Sequence, residues 1–298
     1  MISSGGKKKS IFYSFFTGFI RIRGVLNWFV ISFFGFLLGI TSLNITNYLF
    51  PFIFFVISTF FILAFTFAVN NYYDINTDKE NPRRAHLNAM ASGTISKRTG
   101  MMLNLIFIII PLILSLFITR EVFVFCSFLI FWMWIYSAPP LRLKGRPGVD
   151  ILWHFIAFLA LILWGSYLAG SLSLMNILVG VSFGMFGCFA QIDNHIHDYP
   201  FDKASGSKTF AVWIGINKAT VALKVSFILY LVFLIPLLVL FSFFSYLTIL
   251  IVCGGIVASI FIIKIKKSLL VPSLYQVINY FGGSIYLSCL VYQISSII

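Results

Sequence analysis

The sequence NNYYDINTD, residues 70–78, ends a long apolar run and spaces one asparagine and two aspartates at four-residue steps, at Asn70, Asp74 and Asp78. The same spacing returns at the end of a later apolar run, at Asn194, Asp198 and Asp202. Residues four apart share one face of a helix and lie about 6 Å apart along its axis. Each stretch therefore predicts a helix that leaves an apolar environment with amide and carboxylate oxygens on one face.

Oxygen ligands of this kind bind hard cations. Mg²⁺ in particular takes one or two carboxylates, waters and the oxygens of a substrate phosphate, not a closed protein cage. Two such clusters facing each other would hold two ions around one diphosphate.

The alternative interpretation is that these acids are only solvated residues at the ends of membrane helices. The chain has eight Asp and Glu residues in all, and five of them fall in the two stretches: Asp74, Asp78, Asp193, Asp198 and Asp202. Such concentration of a scarce charge favours a shared site.

The composition places the chain in a membrane. Of its 298 residues, 60% are hydrophobic and 10% are charged, and the mean hydropathy is +1.01. These values are typical of a polytopic membrane protein. We predict an all-α bundle of nine transmembrane helices with cytoplasmic cap loops. The expected spans are 24–43, 48–69, 99–118, 121–138, 151–170, 174–192, 219–241, 243–263 and 275–297.

The basic residues predict the orientation. With the N-terminus inside, all of the 21 Lys and Arg residues except Arg120 lie at cytoplasmic ends, which is the bias that fixes topology. Both acid clusters then face the cytoplasm. The net charge of +13 does not indicate nucleic-acid binding, because the basic residues sit in loops too short to form a contiguous basic domain.

The sequence also suggests a division of the chain. Residues 1–23 predict a cytoplasmic segment with an amphipathic surface helix from Ser10 to Arg23. Residues 24–298 form the transmembrane domain, with two pseudo-repeats that each carry one Asn-x-x-x-Asp-x-x-x-Asp motif.

Basic and imidazole side chains accompany the clusters. Four basic side chains are candidate contacts for phosphate oxygens: Arg84, Arg142, Lys144 and Lys208. Cytoplasmic Lys and Arg are, however, also expected from topology alone. His195 and His197 flank the second cluster, and histidines in such a position more often have a structural role. His154 lies within the fifth span, and its role stays open.

Taken together, these motifs resemble the UbiA superfamily of intramembrane prenyltransferases. Besides the two acid motifs, the matching pieces are SGTIS at 92–96, YSAPPLRLK at 136–144, and the segment 198–215 with its Gly-x-Lys-Thr-Phe-Ala. The resemblance covers nearly the whole chain. It implies nine helices around a central cavity, with Mg²⁺ bridging the acid motifs and a prenyl diphosphate such as geranylgeranyl diphosphate.

The resemblance also assigns roles by position. It implies that the metal and diphosphate are held by Asn70, Asp74, Asp78, Asn194, Asp198 and Asp202, of which Asp74 and Asp198 are the expected catalytic pair. The implied partners of the diphosphate are Tyr136, Arg142, Lys144 and Lys208, and Asn27 matches a polar position near the acceptor pocket.

Two features depart from the family pattern. Where many relatives have Arg-Pro before the Ser-Gly stretch, this chain has Asn88 and Ala89, so a basic phosphate contact is missing unless Arg83 or Arg84 replaces it. His195 and His197 inside the second motif are also unusual. Both departures concern the acceptor and not the class of reaction.

The predicted reaction is Mg²⁺-dependent transfer of a prenyl group to a lipophilic acceptor within the membrane. The acceptor is an aromatic or quinone precursor, a chlorophyll-type acid, an ether lipid or a carotenoid. The alternative function is a multi-span transporter with a cytoplasmic cation site, which internal duplication also suits, although transport sites usually lie near the bilayer midplane. A phosphatidyl-alcohol transferase would require an Asp-Gly-x-x-Ala-Arg signature that the sequence lacks.

Overall fold

The structure is a computed structural model that describes residues 10–80, 85–243, 245–266 and 271–298. Its described part is helical, with no strands. The helices are α1 Ile11–Ser14, α2 Ile22–Gly39, α3 Thr46–Tyr73, α4 Ile75–Glu80, α5 Lys97–Leu116, α6 Arg120–Ser137, α7 Val149–Ala169, α8 Leu174–Ala204, α9 Phe210–Ile214, α10 Ile216–Phe241, α11 Tyr246–Lys266, α12 Val271–Val277 and α13 Gly283–Ser295.

Seven helices in the described part of the chain are long and apolar enough to cross a membrane: α2, α3, α5, α6, α7, α8 and α10. They correspond to the first seven predicted spans. The eighth predicted span corresponds to α11, in which the shorter stretch Tyr246–Phe261 is an apolar helix. The ninth is divided into α12, a wide π turn at Ile278–Gly282, and α13. The structure thus confirms an all-helical, multi-pass protein, while the number nine stays a prediction.

The chain forms two compact units. Unit 1 comprises residues 1–30 and 53–143, and unit 2 comprises residues 31–52 and 144–298. The predicted division at residue 24 is a different one, and it stays a prediction together with the two pseudo-repeats.

Aromatic packing dominates unit 1 near the start of α2. Trp28 packs edge-on against Phe67 with ring centroids 5.7 Å apart, and Phe29 lies 5.4 Å from Phe55. These rings join α2 to α3, the helix that ends at the first acid motif. Apolar contact of this kind supplies dispersion energy without any buried polar group.

Glycines set the helix spacing in unit 2. A Cβ added to Gly184 would lie 2.7 Å from the Phe155 ring, and one added to Gly187 would lie 3.0 Å from the His154 carbonyl oxygen. Both glycines therefore let α8 approach the backbone of α7. Small residues at such contacts are the usual means of close helix packing in membranes.

The lengths of α3 and α8 account for the position of the acid motifs. α3 has 28 residues and α8 has 31. At 1.5 Å per residue they measure roughly 42 and 46 Å, whereas the hydrocarbon core is about 30 Å thick. Because each motif lies at the C-terminal end of its long helix or just beyond it, we expect both motifs to lie beyond the apolar layer.

The N-terminal segment is helical over part of the predicted range, and its place on the membrane surface stays a prediction. Within the predicted range from Ser10 to Arg23, the α-helix α1 ends at Ser14 and is followed directly by a π turn at Phe15–Phe19. The Gly18 carbonyl oxygen accepts a hydrogen bond from the Ala89 amide at 3.1 Å, which requires a close approach that a Cβ at residue 18 would crowd. Ile11 and Phe12 stay exposed. The segment therefore packs partly against the loop after α4.

Candidate active site

The first acid motif forms one continuous face in unit 1. Asp74 separates α3 from α4, yet its amide donates to the Asn70 oxygen at 3.1 Å, and the Asp78 amide donates to the Asp74 oxygen at 2.8 Å. The helical register therefore passes through the break, and the three motif residues keep a common side. Asp74 and Asp78 are 9% and 4% exposed, and Asn70 is half-buried.

Arg142 meets this face. Its Nη2 lies 3.3 Å from Asp74 Oδ1, and its side chain is 43% exposed while that of Asp74 is 12% exposed. The arginine comes from the loop after α6, where its φ of +38° turns the chain. A mostly buried carboxylate therefore has a cation that solvent can still reach. Two residues that the sequence assigned separately to metal and to diphosphate are thus brought together.

Asn88 organises the same face from a buried position. It is fully buried, and its Nδ2 donates to Asp78 Oδ2 at 2.9 Å and to the Asn71 carbonyl oxygen at 2.8 Å. Its Oδ1 accepts from the amides of Met90 and Ala91 at 3.0 and 3.3 Å. The position that lacks the family's arginine is therefore filled by a neutral amide that orients Asp78. The usual tendency of Asn to form such local turns was a signal for this role in the sequence.

Asn71 extends the network to the N-terminal segment. Its Nδ2 donates to the carbonyl oxygens of Gly18 and Phe19 at 2.9 and 2.8 Å, and its Oδ1 accepts from Arg21. Sequence analysis gave neither Asn71 nor Arg21 a role. Because Asn71 immediately follows Asn70, this anchoring fixes the end of α3 where the acid face begins.

The second acid motif lies in unit 2, on the last turns of α8. Asn194 is exposed, and Asp198 and Asp202 are half-buried. The helix ends after Ala204, where Gly206 adopts a φ of +70° that favours glycine. This explains the glycine that begins Gly-x-Lys-Thr-Phe-Ala: Gly206 helps to end α8 about one turn past Asp202.

Asp193, one residue before the second motif, lies on a different side of α8. Asp193 is 6% exposed, and its Oδ2 accepts a hydrogen bond from the Tyr275 hydroxyl at 3.0 Å. His197 Nδ1 lies 3.0 Å from the Asp193 carbonyl oxygen. At about 100° per residue, Asp193 lies about 140° around α8 from Asp198. Asp193 thus contacts α12 and is not on the motif face, while His197 contacts Asp193 within α8.

Two histidines that the sequence left open have partners in unit 2. His195 Nε2 lies 2.9 Å from Asp150 Oδ2, with both side chains buried. His154 is 9% exposed, and its Nδ1 lies 2.8 Å from the Asp150 carbonyl oxygen. Since a carbonyl oxygen only accepts hydrogen bonds, this nitrogen carries the proton.

The other predicted site residues lie on other helices and loops. Tyr136 is half-buried in the last turn of α6, and Lys144 lies in the 3₁₀ turn Leu143–Gly145. Lys208 is exposed in the loop before α9, and Asn27 is exposed on α2. Arg83 and Arg84 lie outside the described residues, so the predicted replacement of the missing arginine by one of them stays a prediction.

The donor chemistry of the acid faces fits a hard cation. Within the described ranges, no group of three or more His, Cys, Asp or Glu side chains is arranged to hold a metal. Each face instead supplies two carboxylates and one amide, all oxygen donors. This set suits Mg²⁺, which leaves several positions to water and to substrate phosphate.

The fold and these faces define a class: a multi-pass helical membrane protein with two oxygen-rich motifs at the ends of long helices. The sequence model of the UbiA prenyltransferase family matches residues 28–272. The chain belongs to the UbiA prenyltransferase family, as its motifs indicated.

Two curated relatives share part of the sequence. A lycopene elongase/hydratase from Corynebacterium glutamicum is 29% identical over 179 residues, which cover 58% of this chain and 61% of that protein. A digeranylgeranylglyceryl phosphate synthase from Korarchaeum cryptofilum is 29% identical over 159 residues, which cover 52% of this chain and 53% of that protein. The chain thus spans between half and two thirds of the length of these relatives.

A solved structure shows the same fold. A UbiA homolog from Archaeoglobus fulgidus, bound to DMAPP and Mg²⁺, superimposes with a TM-score of 0.68 at 21% sequence identity. The match covers 94% of this chain and 97% of the homolog. At this identity the comparison establishes the architecture, which extends over nearly the entire chain.

Proposed function

We propose that this protein is a Mg²⁺-dependent prenyltransferase that moves a prenyl group from a prenyl diphosphate, such as geranylgeranyl diphosphate, to a lipophilic acceptor in the membrane. The observation that carries the proposal is the acid face of unit 1. There Asp74 and Asp78 carry carboxylates in one helical register, and Arg142 Nη2 lies 3.3 Å from Asp74 Oδ1. Family membership and the ligands of the A. fulgidus homolog support it.

The residues that would hold Mg²⁺ are Asn70, Asp74 and Asp78 on the first face and Asn194, Asp198 and Asp202 on the second. When bound, Mg²⁺ neutralises the negative charge that develops on the departing diphosphate.

The protein's own groups contribute binding and exclusion of water. Heterolysis of the allylic C–O bond sends its electron pair to the diphosphate oxygen and leaves an allylic cation. Arg142 is exposed enough to exchange its contact with Asp74 for a phosphate oxygen, and Tyr136, Lys144, Lys208 and Arg84 are the other proposed diphosphate partners. The Phe-rich helices keep water from the cation, which would otherwise be hydrolysed. The acceptor then forms the new C–C or C–O bond and loses a proton.

The acceptor is lipophilic, and Asn27 on α2 is the proposed polar contact for it. The two curated relatives suggest testing a carotenoid and a glyceryl phosphate lipid first, since one is a lycopene elongase/hydratase and the other a digeranylgeranylglyceryl phosphate synthase. We propose that the N-terminus and both acid faces lie in the cytoplasm, on the basis of the distribution of Lys and Arg.

The direct test uses detergent-purified protein with labelled dimethylallyl, geranyl and geranylgeranyl diphosphates and a panel of lipid, carotenoid and aromatic acceptors. We expect a labelled product with Mg²⁺ and a loss of at least about a thousandfold in rate with a chelator, because the leaving-group charge is then uncompensated. Added Mg²⁺ should restore the rate. Folded protein that releases no diphosphate under any of these conditions would contradict the proposal and favour the transporter.

The ion pair on Asp74 gives a second expectation. Arg142→Gln should raise the KM for prenyl diphosphate roughly ten- to a hundredfold, because a charged hydrogen bond to phosphate is lost. Arg142→Lys should restore part of the affinity. The matched control is Arg146→Gln, which removes the same charge from an exposed residue of the same loop and should leave KM within about threefold. Equal effects of the two Gln variants would show that only the overall charge of the loop matters.

A further inference from the structure

Asp150, in the first turn of α7, is a buried acid with no part in the proposed reaction. It is 1% exposed, so substrate cannot touch it. Its Oδ1 has no hydrogen-bond partner among the described residues. A carboxylate held away from water is costly unless another group compensates its charge. The groups that contact Asp150 therefore determine whether its burial is stable.

Both side-chain partners of Asp150 come from α8. Its Oδ2 lies 2.9 Å from His195 Nε2 and 3.5 Å from Gln191 Nε2. His195 and Gln191 are themselves 6% and 7% exposed. His195 Nε2 also lies 2.9 Å from Gln191 Nε2, so the three side chains form one buried polar cluster. The contact is thus a buried, directional link from α7 to a single turn of α8.

The linked turn is continuous with the second acid motif. At about 100° per residue, Gln191, His195, Asp198 and Asp202 fall within about 60° of one another around α8. Of these four residues, Gln191 and His195 contact Asp150. Asp198 and Asp202 carry the two motif carboxylates. Asp193, which contacts Tyr275, lies on another side of the helix. The rotation of the motif about the helix axis is therefore fixed one turn before Asp198.

We propose that Asp150 is a positioning residue: through His195 it sets the rotation of the end of α8 and so the affinity of the second acid face for divalent metal. The inference rests on the proposed function of that face. It gives His195 a role as a link between helices and not as a metal ligand.

The test measures metal binding separately from activity. Detergent-purified full-length protein is titrated with Mn²⁺ in the presence of inorganic pyrophosphate, and free Mn²⁺ is followed by electron paramagnetic resonance. We expect Asp150→Ala to weaken Mn²⁺ binding about tenfold and to raise the Mg²⁺ concentration for half-maximal prenyl transfer by a similar factor. Asp150→Asn keeps the size of the side chain and an oxygen that can still lie beside His195 Nε2, and its binding should stay within about threefold of wild type.

A double variant separates positioning from stability. Asp150→Leu combined with His195→Leu removes the pair as a unit, a change that often leaves stability intact because no buried charge remains unpaired. We expect this variant to melt close to wild type and still to bind Mn²⁺ about tenfold more weakly. Wild-type Mn²⁺ affinity in the folded double variant would overturn the positioning role.

A parallel variant shows which proposal has failed. Asp198→Asn removes a carboxylate of the acid face itself. If it binds Mn²⁺ as wild type does, the metal role of the second face is wrong. If it loses binding while the Asp150 variants do not, only the positioning role is overturned.

Discussion

Replacing Asp198 with asparagine is expected to lower the rate of prenyl transfer by at least about a thousandfold. The substitution keeps the size of the side chain and one oxygen, but it removes a negative charge from the face that we propose holds the metal. A contribution of several kcal/mol to leaving-group stabilisation corresponds to a loss of this size. The measurement is the initial rate of labelled product formation at saturating Mg²⁺ and prenyl diphosphate.

Asp193→Asn is the matched control, because it removes the same charge from the same helix five residues earlier. Asp193 accepts the Tyr275 hydroxyl at 3.0 Å and lies on another side of α8. An amide oxygen can still accept that hydrogen bond, so activity should stay within about threefold of wild type. A similar loss in both variants would mean that the charge of the helix end, and not the motif face, determines the rate.

The sequence predicted those parts of the molecule that depend on local pattern. Apolar runs of sufficient length predicted seven helices that the structure contains. Four-residue spacing predicted two acid faces, and the structure keeps the helical register of the first across Asp74 and of the second within α8. Both follow from the geometry of one helix, so no knowledge of neighbours was needed. The division of the last span into α12, a π turn and α13 does not follow from hydropathy, which gives no sign of where a π turn begins or ends.

The network around the acid faces could not be predicted in the same way. Asn88 looked like the loss of a basic contact, and only its position beside Asp78 shows that it orients that carboxylate. Asp150 and His195 are 45 residues apart in the sequence, and their pairing depends on how α7 packs on α8. Contacts between distant residues require the tertiary fold, and a single sequence contains no periodic signal for them.

The largest effect on stability is expected at Gly165, where α7 crosses α2 within unit 2. A Cβ added there would lie 2.0 Å from the Ser32 carbonyl oxygen and 2.6 Å from the Phe36 amide nitrogen. Both are backbone atoms, so no side chain can turn away, and the helices must separate. Separation would also stretch the hydrogen bonds that join them, from Ser32 Oγ to the Leu161 oxygen and from Ser166 Oγ to the Gly35 oxygen, both 2.8 Å.

Gly165→Ala should therefore destabilise the protein by about 3 kcal/mol, at the upper end of the usual cost of overpacking, and lower the apparent melting temperature by about 5 °C. The control is Gly254→Ala, the same substitution at an exposed glycine of α11 with nothing within 4 Å of the added Cβ. Alanine is the better helix former, so this variant should melt at or slightly above the wild-type temperature. Thermal unfolding in detergent, followed by thiol-reactive fluorescence, compares the two. Equal melting temperatures would mean that α2 and α7 do not pack through Gly165, because no other difference between these two single-methyl substitutions predicts a fall at one site alone.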